Sequence, residues 1–367
     1  PHAMSSAEAP SERPTLSCLV ISRTPALLNR MLASLQEARV FWHPGDEVLC
    51  SWNASAATEA EIQPAARSES LVDAPPSFRI AQRQAYHFAT NMNALARQAH
   101  GELLLLLNDD VILDPGSIDR AMQILGQDHD VGVVGGRLRS SAGRLSHAGL
   151  LFSNQGIPYN RFRPQLGPLI DPNGLDLLES GPMPAVTGAL MLLRRADFLA
   201  VGGLRESFRV CGEDIALCLD LWQQLGKTPY YASDVTGIHD EKSTRGDTPD
   251  HHDIQAVGQL AAPLCSGDAS FQARQSHWAL QESNLLCRVS EQQWQTANCR
   301  QQELDQLQEQ SSQLKQQWAE ERLALLGQIT ALRRHVGELT SSSSWKITRP
   351  WRVLGRWFAP PNDTHAE

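Results

Sequence analysis

The sequence predicts an α/β domain with a mostly parallel sheet flanked by helices, followed by a helical extension. Three observations carry this. Short apolar runs of strand length alternate with helical patterns up to about residue 260. Beyond that point Gln, Glu, Leu and Arg dominate, and Gly and Pro nearly vanish until the end. The chain of 367 residues, 41% hydrophobic and 20% charged, is a globular one too long for one ordinary domain.

Residues 16–21 (LSCLVI) form a short buried strand, after which Thr24 and Pro25 open a helix with Leu28, Met31, Leu32 and Leu35 on one face. Residues 47–52 (EVLCSW) form a second strand, and residues 54–77, rich in Ala, Ser, Glu and Pro, read as a loop with one weakly marked strand. Residues 83–100 are helical; Gly101 ends that helix before a strand at 102–107, and further strands are expected at 131–134 and 186–193. This rhythm implies parallel strands covered on both faces.

The extension counts out in heptads. Leu304, Ser311, Trp318, Leu325, Leu332 and Leu339 lie on one seam; the companion seam runs from Leu307 and Leu314 into Glu321, Gln328 and His335. This predicts a coiled coil over 290–340 that makes the chain a homo-oligomer, with an amphipathic helix folded back on the domain as the alternative. After four serines at 341–344, Trp345, Trp351, Trp357 and Phe358 interleave with Lys346, Arg349, Arg352 and Arg356. Rings among cations suit the headgroup region of an anionic membrane, so a membrane contact is expected through 345–358, with subunit packing or a disordered tail as alternatives. The expected division is a tag-like, disordered 1–14, an α/β domain at 15–260, a helical linker at 261–289, the coiled coil at 290–340 and a basic aromatic tail at 341–367.

Several classes are excluded. The longest aliphatic run, residues 103–107, is far short of the roughly 20 apolar residues of a membrane span. The first residues, PHAM, show neither the basic nor the apolar region of a secretory signal. Seven scattered cysteines without a C-x-x-C pair indicate neither a disulfide framework nor a zinc ribbon and fit a reducing cytosol. With 41 acids against 32 bases the net charge is −9, which argues against nucleic acid as a partner. An anionic ligand must then be met by a metal ion or a few placed cations.

Three places carry groups suited to chemistry. The strand at 103–107 runs into Asn108, Asp109 and Asp110, at the edge where open α/β sheets bind ligands. Acids at a strand end are often turn formers; a divalent cation bridging carboxylate and diphosphate is the other use. Glu213 and Asp214 begin a helix with Ile215, Cys218, Leu219, Trp222 and Leu225 on its apolar face. They either stabilise the helix dipole or supply a general base. His239 closes an apolar stretch before a polar loop holding Lys242 and Arg245, which are suited to phosphate oxygens. A lone histidine is more often a packed residue than a ligand.

Taken in order, these segments resemble the inverting, GT-A-fold glycosyltransferases of the family 2-like group that builds bacterial O-antigens and other surface polysaccharides. The resemblance spans about residues 15–250 and rests on Phe88-Ala89, Asn93, Ala99 and Gly101 leading into Glu102 and Asn108-Asp109-Asp110; on the stretch 131–150 with His147-Ala148-Gly149; on Val186-Thr187-Gly188-Ala189 and Gly202-Gly203; on Gly212-Glu213-Asp214; and on His239 to Gly246. It implies a GT-A, Rossmann-like fold and a nucleotide-sugar donor, UDP- or dTDP-linked, held through its diphosphate by Mn2+ or Mg2+. Asp110 and His239 would contact the metal. Asp214 would be the base, with Glu213 beside it, and Ser22, Asn53, Asn93, Asn108, Asp109 and Arg245 would surround the donor. The acceptor would be a glycan, lipid-linked at the inner face of the cytoplasmic membrane, and the enzyme cytoplasmic and peripheral. The tail at 341–350 is similar to C-termini of polysaccharide-assembly glycosyltransferases.

The chain departs from the family pattern at three positions. The helix acids usually continue as Asp-x-Asp-Leu-Cys-x-Arg, and here Ala216 and Asp220 replace the second acid and the Arg. The second strand usually ends in Asp-Asn, and here Asn53 follows Trp52. These changes support an alternative, a degenerate scaffold subunit of a polysaccharide-assembly complex. A nucleotidyltransferase on a similar fold is a third reading, for which no glycine-rich phosphate loop is present.

Overall fold

The computed structural model describes residues 13–64, 75–162, 171, 174, 177–240 and 251–356, without the side chains of 353–356. The chain forms two compact units, 1–289 and 290–367.

In the first unit the strands are β1 (Leu16–Ser22), β2 (Glu47–Trp52), β3 (Ser77–Arg83), β4 (Leu103–Asn108), β5 (Val111–Leu113), β6 (Val131–Arg139), β7 (Leu145–His147), β8 (Leu150–Phe152), β9 (Pro158–Asn160), β10 (Gly181–Pro182), β11 (Leu190–Arg194) and β12 (Thr228–His239). The helices are α1 (Pro25–Ala38), α2 (Phe88–Gln98), α3 (Ser117–Gln127), α4 (Arg195–Ala200), α5 (Glu213–Leu225), α6 (His251–Gly267) and the start of α7 (Ala269–Ser341). The main sheet has the order β10-β12-β6-β11-β4-β1-β2-β3, with β5 on β12 and β7 on β6. Its β4-β1-β2-β3 half is parallel throughout, whereas β11 runs antiparallel between β4 and β6.

Strand β1 shows why the sheet is covered on both faces. Alternate residues point to opposite sides: Leu19 and Ile21 join Met92 and Leu95 of α2 and Cys218 of α5, while Cys18 and Val20 join Leu28, Met31 and Leu35 of α1 and Ile124 of α3. Each fully buried Val, Leu, Ile or Met side chain of this kind contributes about 1.5–3 kcal/mol.

The segment expected as a helical linker is docked on this unit. Phe271, Trp278 and Leu285, seven residues apart on α7, are all buried. Gln275 exchanges hydrogen bonds with the backbone of Phe152 at 3.0 and 2.7 Å, and Trp278 Nε1 donates to Pro182 O at 2.7 Å. The expected 83–100 helix is shorter than its pattern: Arg83 closes β3, and α2 begins at Phe88 after His87 Nδ1 accepts from Thr90 N at 3.2 Å.

The second unit holds the rest of α7 and α8 (Ser343–Arg356). The seam residues Leu304, Trp318, Leu325, Leu332 and Leu339 are exposed. On α8 the guanidinium of Arg352 lies 3.6 Å from the ring centre of Trp345. Trp357 and Phe358 lie outside the described residues.

Candidate active site

Strand register assembles the site. β1 and β4 pair Ile21 with Asn108, so Ser22 and the Asn108-Asp109-Asp110 turn emerge side by side at the carboxyl edge. β2 pairs Trp52 with Ser22, which brings Asn53 to the same edge. β5 then turns back and pairs with the end of β12, matching Val111 with His239, and this sets the histidine against Asp110. The result is a cleft of about 360 Å3 lined by Ser22, Asn53, Asn108, Asp109, Asp110, Glu213, Asp214 and His239 together.

His239 Nε2 lies 3.4 Å from Asp110 Oδ1, and both side chains are nearly buried. Among the described residues no group of three or more His, Cys, Asp or Glu is placed to hold a metal. Asp110 and His239 offer a carboxylate and an imidazole, a donor pair that would fit a divalent ion such as Mn2+ or Mg2+. Asp109 braces the edge, its Oδ2 accepting from Ser22 Oγ at 2.6 Å. Burial pushes its pKa up to about 6; the Ser22 hydrogen bond opposes that rise and the neighbouring Asp110 charge adds to it.

Asp214 stands in the first turn of α5. Its Oδ2 accepts from Gly188 N at 2.7 Å and its Oδ1 from Ile215 N at 2.8 Å. The carboxylate is thus fixed through both oxygens, and with about four lone-pair sites it keeps capacity for a substrate hydroxyl. Thr187 and Gly188, from the turn before β11, complete this wall, and Glu213 is buried beside it.

Asn93 does not belong to this group, contrary to the sequence reading. Its Nδ2 donates to Leu204 O at 2.8 Å and to Glu206 Oε1 at 2.9 Å, and its Oδ1 accepts from Leu204 N at 2.8 Å. Both amide hydrogens and the amide oxygen are engaged in tying α2 to the turn after α4. Arg245 and Lys242 lie outside the described residues. Asp220 and Ala216 also sit away from the cleft: Asp220 makes a bidentate pair with Arg205 at 2.8 and 2.6 Å, and Ala216 is packed in the core.

The cleft holds residues that pattern reading missed. Arg23 is the only Lys or Arg among its described lining residues, and Tyr86, Asn160 and Cys211 also line it. Arg23 follows Ser22 at a strand end, so the edge rule could have found it. Asn160 lies on the β8–β9 hairpin, for which no alternation signals a site. A smaller cavity of about 150 Å3 adjoins the cleft behind Asp214 and is walled by Leu150, Pro158, Ile215, Ile254 and Val257.

An open α/β sheet with a carboxylate–histidine pair and a separately held carboxylate at its ligand-binding edge matches the arrangement that the resemblance to GT-A glycosyltransferases implies. The profile of the family described as glycosyltransferase like family 2 matches residues 49–246, and the chain belongs to that family. O-antigen biosynthesis protein RfbC of Myxococcus xanthus is 33% identical over 223 residues, covering 60% of this chain and 17% of the relative. The uncharacterized protein y4gI of Sinorhizobium fredii (strain NBRC 101917 / NGR234) is 32% identical over 176 residues, covering 45% of this chain and 18% of that protein. The chain therefore spans less than a fifth of the length of these curated relatives. Among solved structures, the mannosyltransferase PcManGT from Pyrobaculum calidifontis, in complex with GDP-Man and Mn2+, gives a TM-score of 0.45 at 13% identity over 78% of this chain and 82% of that one. GalNAc-T7 with UDP, GalNAc and Mn2+ gives 0.49 at 12% identity over 68% and 48%.

Proposed function

We propose that this protein is a metal-dependent inverting glycosyltransferase that moves a sugar from a nucleoside-diphosphate donor to a hydroxyl of a bacterial surface glycan. The observation that carries this reading is the pairing of Asp110 with His239 and the separate fixing of Asp214 in one cleft. Asp110 and His239 would hold Mn2+ or Mg2+. Such an ion, when bound, stabilises the negative charge of the departing nucleoside diphosphate.

Asp214 is the general base. The acceptor oxygen bonds to the anomeric carbon as its proton passes to Asp214, and the bond to the diphosphate oxygen breaks with its electron pair leaving on the nucleotide. A single displacement of this kind inverts the anomeric centre. Arg23 supplies a local cation for phosphate, the device that a chain of net charge −9 requires. The Oδ1 of Asn53 is buried without a partner among the described residues, an acceptor suited to a base with a ring N–H such as uracil or thymine. This supports UDP or dTDP as the nucleotide.

The relative's O-antigen role, the exposed α7 seam and the basic aromatic α8 support a lipid-linked glycan acceptor, self-association through 290–340 and attachment to an anionic membrane through 345–358. Among the described residues no helix is long and apolar enough to cross a membrane, so the attachment would be interfacial. Removing residues 341–367 should release the protein from anionic vesicles, and unchanged binding would reject the attachment. Sedimentation of the full chain against a 1–289 truncation tests self-association. The scaffold alternative loses support because Ala216 and Asp220 lie away from the cleft.

The deciding experiment is thermal stability with UDP, dTDP, GDP and CDP, each with and without Mn2+, followed by sugar transfer by Asp214→Asn. A stabilising nucleotide that requires Mn2+, with transfer abolished in the variant, is the expected result. No shift with any nucleotide would favour the scaffold.

A further inference from the structure

The acid in the first turn of α6 is completely buried although it lies outside the cleft. Asp253 is 0% exposed, and its Oδ2 accepts from three consecutive backbone amides, Arg209 N at 2.9 Å, Val210 N at 2.8 Å and Cys211 N at 3.2 Å. Burying an ionised carboxylate is costly unless hydrogen bonds replace its water, and bonds to a charged acceptor are about twice as strong as neutral ones. Burial pushes the Asp253 pKa up, yet the amides of Val210, Cys211 and Arg209, together with the His252 side chain 3.5 Å from Oδ1, outweigh it and hold the pKa below its ordinary value. The charged carboxylate is therefore the form that gathers this turn.

The gathered turn leads straight to the base. Gly212 follows with φ +99°, and a Cβ there would meet Val257 Cγ2 at 2.5 Å, so α6 also touches the chain one turn beyond Asp253. Residues four apart share a helix face, so Asp253 and Val257 grip the turn from one side of α6. Cys211, Gly212 and Asp214 line both the main cleft and the adjoining cavity, whose opposite wall includes Ile254 and Val257. The same helix face thus meets the loop that carries the base and closes the space behind it.

We infer that Asp253 is a positioning residue that fastens α6 to the 209–211 turn and thereby sets both the Asp214 carboxylate and the acceptor-side wall of the cleft. This rests on the reading of Asp214 as the base. The donor side is held by different elements, the ends of β1, β4 and β12, so loss of the anchor should separate turnover from donor binding.

The test uses the full chain with Asp253→Ala and Asp253→Asn. Three quantities are read: UDP–Mn2+ affinity, the kcat and KM for UDP release from UDP-hexoses with water as acceptor, and backbone hydrogen exchange. For Asp253→Ala we expect kcat to fall tenfold or more, with donor KM and UDP affinity within twofold. Exchange should speed up over 209–216 while β1 and β4 stay protected. Asp253→Asn, which keeps a neutral acceptor oxygen, should recover part of kcat, and it carries the test if the alanine variant does not fold. Unchanged kcat, or an equal loss of protection across β1 and β4, would overturn the inference. If Asp214→Asn leaves UDP release intact, the reading of the base has failed, whereas exchange over 209–216 still decides whether Asp253 anchors the turn.

Discussion

His239 Nε2 and Asp110 Oδ1 stand 3.4 Å apart because β5, only three residues long, turns back from the Asp109-Asp110 corner and pairs with the last residues of β12. The separation exceeds the 2.7–2.9 Å or so of a tight charge-assisted hydrogen bond and is compatible with the proposed sharing of an ion. In the wild type, UDP with Mn2+ at a hundredfold excess over the dissociation constant should stabilise the fold by about 2.7 kcal/mol. In Asp110→Ala the Mn2+-dependent part of that shift should vanish, and in His239→Ala it should shrink. A full shift in Asp110→Ala, read by thermal unfolding, would place the metal elsewhere.

The carboxylate proposed as the base makes a second case. Gly188 N holds Asp214 Oδ2 at 2.7 Å, and a Cβ on Gly188 would sit 3.0 Å from Asp214 Cβ, closer than side chains normally approach. Gly188→Ala should therefore displace the carboxylate by a few tenths of an ångström without unfolding the domain. Misplacement by about 1 Å can cost about a hundredfold, so this smaller one should lower kcat by roughly tenfold. Asp214→Asn, which keeps an oxygen for Gly188 N but cannot take a proton, should lower it by about 10²–10⁴. Steady-state kinetics on the two variants, with donor KM near wild type in both, checks the assignment.

Much of this site was legible in the sequence because its residues sit at strand ends, where an apolar run stops and polar groups begin. Leu103–Asn108 and the turn after it are plain for that reason. β12 was not, since Pro229, Asp234 and Gly237 interrupt its alternation and its register shifts between Ala232 and Thr236. Asn93 was placed wrongly because sequence order says nothing about an amide already used by Leu204 and Glu206. Phe271, Trp278 and Leu285 keep a seven-residue spacing, yet that stripe packs into the core of the first unit, out of phase with the seam that begins at Leu304. Spacing reveals an apolar stripe; the surface that covers it depends on the tertiary fold.

Away from the cleft, Arg39 and Asp46 form a buried pair at 2.6 Å, with side chains 1% and 0% exposed. Burial raises the Asp46 pKa despite the attraction of Arg39 and the amides of Leu16 and His43, and burial lowers that of Arg39. Removing one partner strands the other charge, so Asp46→Ala should cost about 3–5 kcal/mol in denaturant unfolding. The folded Asp46 holds its proton more tightly than the unfolded one. Its contribution to stability therefore declines as the pH rises from the unfolded pKa to the folded one, and the alanine variant should lose that slope.

The exchange of Arg for Asp at 220 tests whether a departure from the family pattern reaches function. Asp220, buried on α5, accepts both Nε and a terminal nitrogen of Arg205 at 2.8 and 2.6 Å, and Gln224 Nε2 adds a bond at 3.2 Å. Restoring the family residue alone, Asp220→Arg, would set two guanidinium groups together and strip Arg205 of its partner. It should destabilise the fold by about 1–3 kcal/mol. Reversing the pair, Arg205→Asp with Asp220→Arg, restores opposite charges and should recover stability, with a coupling of about 0.5–3 kcal/mol in the double-mutant cycle. Because neither side chain lines the cleft, the swapped pair should turn over donor at the wild-type kcat. A stable swap with kcat reduced tenfold would instead show that the position acts on the acceptor, and that the sequence departure alters activity.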